Sequence, residues 1–170
     1  TDSDNAAFYR RNWRTYAQRL AELDRQTRKA ISSIPARSRA LVTAHDAFGY
    51  FGRAYGLQVL AIQGISTESE AGIHKIKALV GTLVSHKIGA VFVETSVSDR
   101  NVRALIEGAA ARGHRVRIGG ALFSDAMGQK GSYVGTYLGM FDHNVTTIVR
   151  ALGGAVPACG FGGQLAEREN

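Results

Sequence analysis

The chain has 170 residues, of which 45% are hydrophobic, and this suits one globular domain with a sizeable core. Its formal net charge is +7, and nine basic residues against four acids lie in the first forty positions. Because no aromatic-and-basic motif accompanies this charge, we interpret it as a solvated helix face and expect no nucleic-acid partner. The single cysteine, Cys159, excludes an internal disulfide and a zinc site built from several cysteines.

A long amphipathic helix is predicted at the start of the chain. Large side chains recur every three or four residues over 5–31, and neither Gly nor Pro interrupts them. These positions are Tyr9, Trp13, Tyr16, Leu20, Leu23, Thr27 and Ile31. Ser32, Ser33 and Pro35 then end the helix, so residues 1–34 are assigned to it. A helix of this length either packs across its own domain or connects to a second domain.

Four strand–helix units are predicted to follow. The apolar strands are expected at 41–44, 57–62, 89–94 and 115–121. The helices are expected at 46–55, from Ile73 to Leu83, from Asp99 to about Gly113, and from Tyr133 to Leu152. This alternation predicts an α/β fold with a four-stranded parallel sheet flanked by helices, in a single domain of residues 35–153. The glycine-rich segment 154–170 is expected to be a disordered tail.

Polar side chains are predicted to meet at the carboxyl edge of this sheet. His45 follows the first strand, Glu94 ends the third, and Asp125 lies just beyond the fourth. Because equivalent ends of parallel strands meet at one edge, we expect the three side chains to share a crevice. One histidine and two carboxylates can form a nitrogen–oxygen metal site or a general acid–base pair. Asp46 is expected to cap the next helix, which leaves His45 for chemistry.

Each of these side chains also has a structural interpretation. His45 can simply be hydrogen-bonded at its strand end, and Asp125 can cap a turn in FSDAMG. For Glu94, the neighbouring loop of hydroxyl and amide groups makes the role of a backbone N–H acceptor the preferred one. The adjacent Asp142 and His143 are a second metal candidate, but they lie within a predicted helix and away from the strand ends.

Several consecutive segments resemble one protein family in order and spacing. VTAHDAFGYFGRAYGLQV, IQGISTESEAG, AVFVETSVSDRNV and LFSDAMG, followed by GTYLGMFDHNVTTIVRAL, are similar to the C-terminal lobe of zinc- and manganese-binding solute-binding proteins of ABC transporters, the cluster A-I proteins. The opening NAAFYRRNWRTYAQRLAELD resembles the long helix that joins the two lobes in that family. The resemblance covers residues 5–152, which is nearly the whole chain.

This resemblance implies a metal ion held between two lobes by four side chains. His45 corresponds to the third ligand, where other members have Glu, and Asp125 to the fourth, whereas Glu94 matches an acid that is not usually a ligand. The first two ligands, both histidines, belong to an N-terminal lobe that has no counterpart here. The implied cargo is Zn²⁺ or Mn²⁺, or else Fe²⁺, with no catalytic cofactor and no enzymatic activity. The implied partners are that lobe and an ABC permease, in the periplasm or at the cell surface.

Two other functions stay open at this point. A small α/β metal-dependent hydrolase would use His45 and Asp125 with Glu94 as general base, although the chain has no Walker A, GxSxG or HExxH motif. A structural or oligomerisation module would use the long helix for self-association through Trp13 and Tyr16. No apolar stretch is long enough to span a membrane, and the polar N-terminus does not have the pattern of a signal peptide.

Overall fold

A computed structural model of the chain describes residues 2–64 and 72–166. Its helices are α1 (Ala6–Ser32), α2 (Gly49–Tyr55), α3 (Ile73–Ser85), α4 (Arg100–Ala110) and α5 (Tyr137–Ala151), with short 3₁₀ turns at Ala36–Ser38 and Tyr133–Gly135. Its strands are β1 (Ala40–Thr43), β2 (Gln58–Ala61), β3 (Ala90–Glu94) and β4 (Arg117–Leu122). The predicted α/β alternation behind a long first helix is therefore confirmed. None of the helices in these described ranges is long and apolar enough to cross a bilayer.

The four strands are parallel and form two hydrogen-bonded pairs. β1 pairs with β2, and β3 pairs with β4 with a register shift between Val91 and Phe92. β1 also contacts β3, so the lateral order is β2, β1, β3, β4. A side chain joins β1 and β3, the two central strands, at their carboxyl ends. The Glu94 carboxylate accepts the backbone N–H of His45 at 3.0 Å. The two halves of the sheet therefore meet at the predicted site.

Side chains on the two faces of the sheet belong to two separate core clusters. Leu41 and Phe92 pack into the cluster that includes residues of α1, α2 and α5, whereas Val42 and Val91 pack into the cluster of α3 and α4. This follows from the period of two along a strand, which sends successive side chains to opposite faces. Because helices cover both faces, the central strands are apolar up to their last residues, Thr43 and Glu94, as is typical of buried parallel strands.

Only the C-terminal half of α1 packs against this domain. Leu23, Thr27 and Ile31 are buried, whereas Trp13 is 68% exposed and Tyr16 is 43% exposed. The buried half is fastened to α2 through Asp24. Its carboxylate accepts hydrogen bonds from Arg28 at 2.9 Å and from the Tyr55 hydroxyl at 2.9 Å. These bonds, that of Arg28 above all, lower the pKa of Asp24 and keep it an ionised acceptor.

The start of α2 differs from the prediction. The helix begins at Gly49, and its N-cap is Phe48, which makes no side-chain cap hydrogen bond, so Asp46 does not cap it. A tight turn lies between strand and helix, in which the Ala47 N–H donates to the His45 carbonyl at 3.1 Å. Thr43 donates its hydroxyl to the same carbonyl at 2.9 Å. These bonds hold His45 in the turn and move the helix start by one turn.

The final helix also starts later than predicted. It begins at Tyr137, where Thr136 caps it by accepting the Gly139 N–H at 3.1 Å. The residues from Tyr133 to Gly135 form a separate 3₁₀ turn, because the extended backbone of Thr136 interrupts the helical path.

The tail prediction is wrong for residues 154–166. Val156 and Phe161 pack against the α1–α2–α5 core cluster, and the Ala155 N–H donates to Ser33 Oγ at 2.7 Å. The glycine content suggested a linker, but Gly160 and Gly163 adopt left-handed backbone conformations that turn this segment back onto α5. Residues 167–170 of the predicted tail, like the connection at 65–71, lie outside the described residues.

Candidate metal centre

The His45 ring lies between two carboxylates at the carboxyl edge of the sheet. The residue is 4% exposed. Its Nδ1 atom is 2.7 Å from Glu94 Oε2, and its Nε2 atom is 3.7 Å from Asp125 Oδ2. The structure therefore brings together the three side chains that the strand ends predicted. With a proton on Nδ1 beside Glu94, Nε2 carries the lone pair that a metal ion requires.

Glu94 is committed to His45 on both of its oxygens. Oε1 accepts the His45 backbone N–H, and Oε2 contacts Nδ1, although that contact lacks the alignment of a hydrogen bond. The predicted role as a backbone acceptor therefore holds, but the donor is His45 and not the following loop. Since the Glu94 side chain is fully buried, it faces the imidazole and not solvent. A carboxylate behind a histidine in this way orients the ring.

Asp125 supplies the open side of the site. Its side chain is 57% exposed, and its Oδ2 atom accepts a hydrogen bond from Ser96 Oγ at 2.7 Å. Ser124 Oγ also lies 3.4 Å from Oδ2, so both serine hydroxyls and the His45 ring approach the same carboxylate oxygen. Ser96, in the loop after β3, was not singled out from the sequence. The only sequence signal for it is the run of hydroxyl residues after Glu94.

The distance between His45 Nε2 and Asp125 Oδ2 suits two ligands of one metal ion. Tetrahedral zinc with bonds of about 2.0–2.1 Å separates its ligand atoms by about 3.3–3.4 Å. The observed 3.7 Å needs only a small adjustment by the exposed Asp125 side chain. Within residues 2–64 and 72–166, no group of three or more His, Cys, Asp or Glu residues is arranged to hold a metal ion. Among the described residues, His45 and Asp125 are thus two possible ligands close to one point.

The second metal candidate does not have suitable geometry. Asp142 is fully buried, and its oxygens accept hydrogen bonds from Tyr133, Thr146 and two backbone N–H groups. His143 Nε2 lies 3.0 Å from the Ala121 carbonyl oxygen. Since the two neighbours use their polar atoms in different places, they do not converge on a common point.

Comparison with known proteins finds a matching family and similar chains. Residues 1–151 match the family described as ZnuA, zinc-uptake complex component A, periplasmic. The manganese-binding lipoprotein MntA of Bacillus subtilis is 51% identical over 148 residues, which cover 87% of this chain and 48% of MntA. The zinc-binding protein TroA of Treponema pallidum is 50% identical over 144 residues, which cover 85% of this chain and 47% of TroA.

The fold gives the same result. The solved structure of the periplasmic zinc-binding protein TroA from Treponema pallidum superposes with a TM-score of 0.84 at 48% sequence identity. The superposition covers 88% of this chain and 54% of that structure. The chain therefore spans about half the length of the relatives it matches.

Proposed function

This chain belongs to the ZnuA family of periplasmic zinc-uptake components, and we propose that it is the C-terminal metal-binding lobe of a solute-binding protein that delivers Zn²⁺ or Mn²⁺ to an ABC permease. The observation that carries this proposal is the approach of His45 Nε2 to Asp125 Oδ2, with Glu94 behind the ring. The metal ion is cargo and is not transformed, in keeping with a family of non-catalytic solute-binding proteins. Glu94 has both oxygens on His45, which argues against its use as the general base of a hydrolase.

The donor set defines the class of cargo. Neutral imidazole with carboxylate binds Zn²⁺, Mn²⁺ and Fe²⁺, and the absence of a thiolate from the pair removes a preference for soft ions such as Cu(I). His45 is buried and oriented, so it supplies a fixed ligand. Asp125 is exposed, so it supplies a ligand that can adjust to ions of different radius. Two ligands leave positions on the ion to water or to ligands from elsewhere.

An N-terminal lobe is the proposed source of the remaining ligands. The chain spans about half of MntA and of TroA, and the first half of α1 carries a stripe of exposed aromatic side chains, namely Phe8, Tyr9, Trp13 and Tyr16. Exposed apolar patches of this kind mark interaction surfaces. We propose that this stripe packs against the N-terminal lobe. Since its relatives are described as periplasmic or as lipoproteins, the proposed location is the periplasm or the cell surface.

Asp125→Ala is expected to weaken Zn²⁺ and Mn²⁺ binding by at least about tenfold, because the site loses its anionic ligand. Isothermal titration calorimetry of the chain and the variant measures the change. Asp4→Ala is the matched control, since it removes the same charge from the exposed segment before α1. Equal affinity in the chain and in Asp125→Ala would refute the proposed site.

Trp13→Glu is expected to reduce metal-independent self-association of the chain in sedimentation velocity experiments. The exposed stripe of α1 has no partner within the described residues, so a second copy can cover it at high protein concentration. Gln18→Glu adds the same charge on the opposite side of α1 and should leave association unchanged. A dimer that persists in Trp13→Glu places the contact elsewhere, and a chain that stays monomeric excludes the oligomerisation module.

A further inference from the structure

Asp142, on α5, is a buried carboxylate at the meeting point of three parts of the chain. It is 0% exposed. It accepts the Tyr133 hydroxyl at 2.7 Å and the Thr146 hydroxyl at 3.0 Å. It also accepts the backbone N–H groups of Phe161 at 2.9 Å and Gly162 at 3.0 Å. These four donors satisfy a charge that would otherwise be costly to bury.

The two backbone donors come from residues 154–166, which we call the clasp. The clasp lies beyond residue 151, where the match to the family ends. Other bonds also fix it, since Arg150 donates to the Pro157 carbonyl at 2.9 Å and the Ala155 N–H donates to Ser33 Oγ at 2.7 Å. The clasp is therefore attached to the lobe at several points and contacts Asp142 at its centre.

Gly160 allows the clasp to approach this closely. Its backbone has a φ of +73°, and a Cβ atom there would lie 2.6 Å from Leu165 Cδ1, within the clasp, and 2.8 Å from both oxygens of Asp142. Gly163 has a similar φ of +66°, but a Cβ atom there would meet nothing within 4 Å. An alanine at either position is therefore strained in its backbone, but only the alanine at position 160 also collides with Asp142.

Tyr133 joins Asp142 to the loop that carries Asp125. This loop, residues 123–136, closes on itself, because the Gly128 N–H donates to the Val134 carbonyl at 2.8 Å and the Ser132 N–H donates to the Gln129 carbonyl at 3.1 Å. Burial and the hydrogen bond to Asp142 raise the pKa of Tyr133, so its hydroxyl remains a donor at physiological pH. The clasp is thus bonded to Asp142, and Asp142 is bonded to Tyr133. Val134, the next residue, accepts the N–H of Gly128, which lies three residues after Asp125.

We propose that the clasp holds the Asp125 loop in its metal-ready conformation through Asp142 and Tyr133, which are positioning residues. The metal-binding part of this inference rests on the proposed function, whereas the ordering of the loop does not. Its chemical basis is preorganisation: an exposed ligand on a loop binds more tightly when the loop is already ordered.

Amide hydrogen exchange of residues 123–136 tests the inference in variants of the whole 170-residue chain. Gly160→Ala pushes the clasp away from Asp142, and Tyr133→Phe removes the hydroxyl that joins loop to carboxylate. We expect about tenfold faster exchange at Gly128 and Gly135 in both variants, which corresponds to roughly the net value of one hydrogen bond. Exchange in β1 and β2 should not change.

Matched controls exclude a general loss of stability. Gly163→Ala introduces the same backbone strain without the collision, and Tyr137→Phe removes the hydroxyl of a 48% exposed tyrosine. Both should exchange like the unmodified chain at Gly128 and Gly135. Unchanged loop exchange in Gly160→Ala and Tyr133→Phe would overturn the inference.

A metal titration of the same variants separates this inference from the proposed function. If the unmodified chain binds Zn²⁺ through His45 and Asp125, Tyr133→Phe should bind it severalfold more weakly and Tyr137→Phe equally well. Equal affinity for Tyr133→Phe would overturn the effect on metal binding and leave the proposed function standing. If the unmodified chain binds no Zn²⁺ at this pair, the proposed function fails, and hydrogen exchange alone decides whether the clasp orders the loop.

Discussion

His45→Ala is expected to abolish detectable Zn²⁺ and Mn²⁺ binding by this chain. The substitution removes the buried ligand of the pair and leaves Asp125, whose side chain is 57% exposed. It also leaves Glu94 buried without the imidazole that its Oε2 atom contacts at 2.7 Å. A single exposed carboxylate does not retain a transition-metal ion against water and buffer. Calorimetric titration with each metal measures the loss.

Glu94→Gln provides the intermediate case. The amide can present an oxygen to only one of the two His45 groups, the backbone N–H or Nδ1, and its NH₂ group then faces the other as a second donor. We expect metal affinity to fall about 10–100-fold, as for other partners behind a metal-bound histidine. Glu107→Gln, on the exposed surface of α4, is the matched control. Affinity that is unchanged in Glu94→Gln would mean that Glu94 does not orient the ring.

Phe92→Ala is expected to lower the free energy of unfolding by about 3–5 kcal/mol. Phe92 lies on a central strand, is 0% exposed, and belongs to the core cluster that joins the sheet to α1, α2 and α5. Its ring closes directly over Gly119 of β4, where a Cβ atom would lie 2.8 Å away. The cavity left by the ring would therefore open between two strands, where collapse is limited. Urea unfolding followed by circular dichroism measures the change.

Phe8→Ala is the control for this experiment. Phe8 is 49% exposed on the free half of α1, so its removal should change the free energy of unfolding by less than about 0.5 kcal/mol. Since domains of this kind are stable by only about 5–15 kcal/mol, Phe92→Ala should bring the chain close to its unfolding threshold. A loss below about 1 kcal/mol in the free energy of unfolding would show that the packing of this core cluster does not depend on the Phe92 ring.

The predictable part of the site came from strand direction. His45, Glu94 and Asp125 follow three apolar strands, and parallel strands bring such ends to one edge whatever the details of the loops. The pattern does not show which of the three side chains is enclosed and which is open to solvent. That depends on burial, since Glu94 is enclosed and Asp125 is exposed.

The features that sequence reasoning missed depend on contacts between distant segments. An aspartate before a helix signals a cap, but the turn after His45 separates Asp46 from the first turn of α2. Asp142 is a second metal candidate in the sequence, whereas in the structure it is buried and bonded to Tyr133 and to the clasp, which are contacts that a local pattern does not show. The glycine content of the clasp predicted a disordered tail, although Val156 and Phe161 within it pack against the core.

The half-packed first helix has a mechanical consequence. From Leu23, where burial begins, to Ala6 is about 25 Å of continuous α-helix at about 1.5 Å per residue. A rigid rod of this length works as a lever arm, and a tilt of about 5° at its anchored end displaces its tip by about 2 Å. That displacement equals the length of a zinc–nitrogen bond, about 2.0–2.1 Å. Any group carried at the tip would thus move by about one metal–ligand bond length through a change in angle too small to disturb the anchoring core.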